Sequence, residues 1–225
     1  MNTRRTTKSF EQWLREEVET TFGIKKVKKL TKLDEWLATD FVLSERESSD
    51  LESLFTRTVD YIELYNEDEL KLFFISEVLK IVNFQTTTYR AFTQRTMEFT
   101  AQTVDNETIT VKGIVDLVVA TGQQVPRKPF FFLQEFKQSL KRNNDPLGQV
   151  LIAMLAAQVK NQDENPIYGC YVLGEHWHFV MLDKKEYAVS AGYDVTNYET
   201  LMRITSILKE QKKYVEKTLS LPQNK

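Results

Sequence analysis

The stretch Gly113-Ile114-Val115-Asp116-Leu117-Val118-Val119 decides the reading of this chain, because a carboxylate interrupts a run otherwise suited to burial. A buried carboxylate is costly unless it is paired or bound to a cation. The same anomaly recurs in the next apolar run, where Phe130-Phe131-Phe132-Leu133 leads into Gln134-Glu135-Phe136-Lys137. Period-two alternation predicts Glu135 and Lys137 on one face of a strand and Phe136 on the other. If the two strands are neighbours, Asp116 and Glu135 converge on one point. An oxygen-only site of two carboxylates, a backbone carbonyl and waters suits Mg²⁺, with Mn²⁺ as a substitute. Lys137, one pleat further, can orient or help deprotonate a water and offset charge on a phosphoryl transition state.

Working outward, Thr86 to Thr103 and Thr108 to Ala120 are rich in Thr, Val, Ile and aromatics and are joined by Val104-Asp105-Asn106-Glu107, which predicts a hairpin. The apolar run at Phe130 to Leu133 predicts a central strand buried on both faces, within Pro129 to Lys137. Asp145 and Pro146 open a buried helix to about Lys160, followed by strands at Ile167 to Leu173 and Trp177 to Leu182 and a helix at Asn197 to Leu219. Ahead of the hairpin, Asn66 caps a helix to Phe84 with Glu67, Asp68 and Glu69 at its positive end and a buried stripe of Leu70, Phe73, Phe74, Val78 and Ile81. Further upstream, Ser9 and Gln12 form a capping box for a helix through Phe10, Trp13, Leu14 and Val18; a lysine-rich joint and a charged helix from about Ser44 to Tyr65 follow.

Asp116 and then, after eighteen intervening residues, Glu135-Phe136-Lys137 resemble the PD-(D/E)XK superfamily of nucleases. That resemblance implies an α/β fold with a restriction-endonuclease-like core: helix, three strands, helix and strand (αβββαβ), a mixed sheet flanked by helices. Asn66 to Leu173, about half the chain, reads in that order. The resemblance also implies that Gln149, in Pro146-Leu147-Gly148-Gln149, orients the site, since many members carry a Gln on this helix. It implies a Glu on the first core helix as a further metal ligand, and Glu67-Asp68-Glu69-Leu70-Lys71 with Phe74-Ile75 is similar to that segment of type I restriction-enzyme nuclease domains. Glu67 shares the face of Leu70, Phe74 and Val78; Glu69 lies to one side and Glu77 on a later turn. In two departures from the pattern, Val115 stands where the family name has Pro, and Gln134 precedes Glu135. The chain as a whole resembles a set of small bacterial proteins with this core.

The organisation expected is a helical extension over 1–65 packed on a nuclease-like domain over 66–220. With 225 residues, 41% of them apolar and 28% charged, the chain can bury one sizeable core. Cys170 is the single cysteine, which excludes an internal disulfide and a Cys-based zinc site; no secretory signal precedes the first charged residues, and a cytoplasmic protein without membrane segments is expected. The expected activity is that of a metal-dependent phosphodiesterase acting on nucleic acid, DNA being favoured. A net charge of -2 counts mildly against this, because phosphate-binding surfaces are usually basic. Residues 1–32 run the other way, with nine Lys/Arg against four Asp/Glu. The rival is a non-catalytic binding or assembly protein of the same fold, in a defence or mobile-element system, with the N-terminal helices docking a partner or a second copy. His176 and His178 share a strand face without a third histidine and read as a partly exposed strand end; Lys141 and Arg142 are candidate phosphate contacts.

Overall fold

The structure, a computed structural model, describes residues 3–5, 8–137 and 145–220, with the backbone alone at 3–5, 129 and 131–135. The chain enters through β1 (Thr3–Arg5) and a 3-10 turn (Phe10–Gln12), then passes through α1 (Arg15–Phe22), β2 (Lys25–Lys26), α2 (Thr31–Leu37) and α3 (Glu45–Thr58). A helical passage in three pieces follows: α4 (Glu67–Glu69), a π-helical stretch (Leu70–Ile75) and α5 (Ser76–Val82). Next come β3 (Tyr89–Gln102), β4 (Thr108–Thr121), β5 (Arg127–Lys137) and α6 (Pro146–Asn161). The chain ends with β6 (Ile167–Leu173), β7 (His176–Asp183), β8 (Glu186–Val189), β9 (Tyr193–Asp194) and α7 (Tyr198–Ser220).

The strands make one mixed sheet in the order β1-β4-β5-β6-β7-β8-β2, with β3 paired to β4 and β9 to β7. β5 and β6 run parallel, so the chain must cross over between them, and α6 is the crossover. The Asp145 side chain caps α6 by accepting from the Leu147 and Gly148 N–H groups, each at 3.1 Å, and Pro146 opens its first turn. From Pro146 to Ala157 the helix is buried, in a core shared with Phe10, Trp13, Val18 and Phe22. On the other face of the sheet α2, α3, α5 and α7 enclose a second core around Trp36, Phe74, Leu117, Phe136 and Trp177. The chain is therefore mixed α/β, with helices flanking a mixed sheet. Among the described residues no helix is long and apolar enough to cross a membrane.

The N-terminal segment is not helical throughout. β1 runs parallel to β4 and β2 parallel to β8, so part of the lysine-rich joint extends the sheet. Ser9 caps only the 3-10 turn, its N–H donating to Gln12 at 2.9 Å, and Trp13 and Leu14 stay extended before α1 begins. The charged helix expected to reach Tyr65 stops at Thr58 and is followed by a 3-10 turn at Ile62–Leu64. Strands β8 and β9 are additional to those expected. In the helix before the hairpin the buried stripe runs through Leu70, Phe74, Ile75, Val78 and Val82, while Phe73 is 48% exposed. The cause is the π-helical stretch, whose wider turn breaks the 3.6-residue repeat that places Phe73 inside.

Candidate functional site

Asp116 sits where two strands change phase together. On β4, Ile109, Val111 and Val115 face the α6 side, but so do Val118 and Ala120, whereas Leu117 and Val119 join the opposite core. Odd positions thus give way to even ones around Asp116. On β3, Phe92 faces the α6 side and so do Met97 and Phe99, which places the same slip around Gln94. Gln94 has φ 51°, a left-handed backbone costly for a non-glycine residue, and it lies between the cross-strand pairs Thr93–Leu117 and Arg95–Val115. This paired irregularity brings the Gln94 amide nitrogen within 2.6 Å of Asp116 Oδ1.

Asp116 is 9% exposed, and the chain compensates its charge from three directions. Lys71 Nζ donates to Oδ1 at 3.1 Å, Gln94 donates to the same oxygen, and the Phe136 N–H of β5 donates to Oδ2 at 3.0 Å. The Asp116 side chain thereby extends the β4–β5 ladder beyond its last recorded pair, Leu117–Gln134. The Lys71 ammonium also donates to Glu67 Oε1 at 2.7 Å and lies 5.6 Å from the centre of the Phe136 ring. Lys137 Nζ completes the group at 3.5 Å from the same Glu67 oxygen. Burial disfavours the Lys71 ammonium, but hydrogen bonds and charge from Glu67 and Asp116 outweigh it and hold its pKa above the ordinary lysine value.

Of the three candidate carboxylates on the helix, Glu67 is the one that joins Asp116 and Lys137. Glu69 accepts from the Asn66 N–H at 2.9 Å as part of the helix cap, and Glu77 pairs with Lys80 at 2.5 Å. β5 carries Glu135 next to the splayed end of β4, and its backbone pairs with Tyr171 on β6; the Glu135 side chain lies outside the described residues, as do Lys141 and Arg142. Gln149, 2% exposed, donates its side-chain amide to the Glu11 carbonyl at 3.1 Å and so ties α6 to the N-terminal turn. His176 Nδ1 lies 3.2 Å from Glu175, and His178 stacks on Tyr171 with ring centres 4.6 Å apart.

Lys71 and Gln94 are the residues of this cluster that sequence reasoning misses. Lys71 shows in the sequence only as the i+4 partner of Glu67, a common surface arrangement. No local signal marks Gln94.

Among the described residues no group of three or more His, Cys, Asp or Glu side chains could hold a metal ion. The two described carboxylates nonetheless converge on a single cation, and an all-oxygen pair is the donor chemistry a hard divalent ion takes. Glu67 and Asp116 are thus the described side chains whose chemistry suits such an ion, at the point the Lys71 ammonium occupies. In comparisons with known proteins, no family model and no curated sequence matches the chain.

Proposed function

We propose that the chain is a metal-dependent nuclease of the PD-(D/E)XK type acting on nucleic acid, DNA in the first place. Its restriction-endonuclease-like core would be formed by the helical passage of α4, the π-helical stretch and α5, followed by β3, β4, β5, α6 and β6. One observation carries the reading: Glu67 from a helix and Asp116 from a strand close on a single cation, with Lys137 of the adjoining strand beside them. Asp116 and Glu67, with Glu135 as the residue before Phe136 on β5, are the residues that would hold Mg²⁺ or Mn²⁺. Such an ion polarises a phosphate and lowers the pKa of a bound water.

The remaining steps belong to the chain's own groups. The Phe136 N–H and the Gln94 amide fix the Asp116 carboxylate. Lys137, its side chain 14% exposed, holds the attacking water and offsets charge that develops on the phosphate. The water oxygen bonds to phosphorus as the ester P–O bond breaks, and the proton lost by water ends on the leaving oxygen. Purified protein with Mg²⁺ or Mn²⁺ is expected to nick supercoiled plasmid or degrade single strands. Asp116→Ala and Lys137→Ala should each slow cleavage by about a hundredfold or more; cleavage that survives both ends the nuclease reading.

A second reading, a non-catalytic binding protein of the same fold, is favoured by one observation: the Lys71 ammonium bridges the two described carboxylates and, with Lys137 against Glu67, already balances their charge. Intact plasmid together with an absence of divalent-ion binding would select it.

A further inference from the structure

The Lys71 ammonium lies where the proposed cation site is, 2.7 Å from Glu67 Oε1 and 3.1 Å from Asp116 Oδ1. These are hydrogen-bond lengths; Mg²⁺ binds oxygen at about 2.0–2.1 Å. An ammonium and a divalent ion therefore cannot occupy the point together, since they need the same two oxygens at different separations and they repel. Two features equip Lys71 to leave. It is carried by the π-helical stretch, a geometry that gathers at functional positions, and its side chain is 24% exposed beside the outward-facing Leu72 and Phe73. Its four-carbon stem turns freely once the ammonium is released. Lys137 lies 3.5 Å from Glu67 Oε1, whereas among the described residues it is Lys71 that bridges Glu67 and Asp116.

We propose that Lys71 is the resident counter-ion of this site: its ammonium holds Glu67 and Asp116 together until a divalent ion displaces it, so lysine and metal occupy the position in alternation. The proposal rests on the metal-site reading above. It makes Lys71 a positioning residue that keeps the carboxylates gathered for metal and lowers apparent metal affinity, because binding must first expel an ammonium.

The test is Mn²⁺ binding, read from the electron paramagnetic resonance signal of the free ion. Lys71→Met should bind Mn²⁺ at least tenfold more tightly than the wild-type protein. Lys71→Gln should do the same, guarding against a folding defect of one variant. In the wild-type protein, acetylation of Lys71 by an N-hydroxysuccinimide ester, followed by peptide mass spectrometry, should speed up several-fold when Mn²⁺ is added, because the ammonium is then released. Wild-type binding of Mn²⁺ with unchanged or weaker affinity in both variants overturns the counter-ion role and leaves the metal site standing. Unchanged Lys71 acetylation with bound Mn²⁺ likewise overturns it. No Mn²⁺ binding by any of the three proteins overturns both the proposal and the reading beneath it.

Discussion

Asp116→Ala tests whether the site is balanced by the chain itself. In a site whose acidic residues are gathered for an absent ion, removing a carboxylate relieves repulsion and stabilises the protein. Here the opposite is expected in metal-free buffer, because three donors lose their common acceptor. The buried Phe136 N–H is left unpaired, at about 1–3 kcal/mol. Lys71 keeps Glu67 and is partly exposed, so its loss is discounted to under about 1 kcal/mol. Gln94 is exposed, so water replaces the lost hydrogen bond of its amide, but its left-handed backbone loses the contact that offsets it. Set against the relief of the Asp116 desolvation, the net is about 2 kcal/mol of destabilisation, or roughly 4–8 °C in melting temperature for a chain of this size. Urea unfolding followed by tryptophan fluorescence reads this directly, since Trp13, Trp36 and Trp177 are all buried. Asp116→Asn, which keeps an acceptor for the Phe136 N–H, should lose less than the alanine variant. An Asp116→Ala protein as stable as the wild type, or more so, would refute the claim that Lys71, Gln94 and Phe136 compensate this carboxylate.

Gly148→Ala should destabilise by about 2 kcal/mol, overriding the roughly 1 kcal/mol that alanine gains in a helix. A Cβ at Gly148 would lie 2.3 Å from the Trp13 carbonyl oxygen and 2.6 Å from the Arg15 nitrogen, so α6 and the N-terminal turn must part. Thermal melting checks it; an unchanged midpoint would show that the two backbones do not meet so closely. For His178, burial lowers the pKa from the ordinary 6.5, outweighing a hydrogen bond with the Ser190 backbone that raises it, and the neighbouring His176 charge adds a smaller lowering. The unfolded imidazole thus takes up a proton that the folded one resists. Its contribution to stability is full above about pH 6.5 and is lost as the pH falls below that value, so urea midpoints of His178→Gln should decline less between pH 7 and pH 5 than those of the wild type. Equal declines would remove His178 from the acid response.

Asp116 and Lys137, which the structure brings to one cluster, are legible in the sequence because a charged residue inside an apolar run has few cheap explanations; Glu135 stands out for the same reason, and its side chain lies outside the described residues. The hairpin, the buried α6 and the strands after it are legible because their periodicity or apolarity extends over many residues. Short elements leave no such trace: β1, β2 and β9 have two or three residues each, and alternation cannot be recognised over so few. Ser9 and Gln12 satisfy the capping box for any helical turn, and the capping pattern does not reveal that the turn stops at Gln12; Glu17, accepting from the Leu14 N–H at 3.1 Å, opens the true helix. Phe73 is misread because a π-helical turn has no signature in a 3.6-residue pattern.

The positions that defeat periodicity are also the ones that build the site. The π-helical stretch carries Lys71, the left-handed Gln94 faces Asp116 across β3 and β4, and on β5 the register jumps so that Val119 pairs with Phe132 but Ala120 with Phe130. Strict alternation would send Asp116 and Leu117 to opposite faces. Yet Asp116 reaches Lys71, on the side of the sheet where Leu117 and Phe136 pack. A left-handed glutamine costs on the order of 1–2 kcal/mol and persists only where its surroundings compensate. The compensation is local, since the strained residue's own amide is held by Asp116 at 2.6 Å. Carboxylate and bulge therefore stabilise each other. Substitution of Asp116 thus removes more than a charge, because it also takes away the contact that keeps β3 and β4 out of phase with an ordinary hairpin.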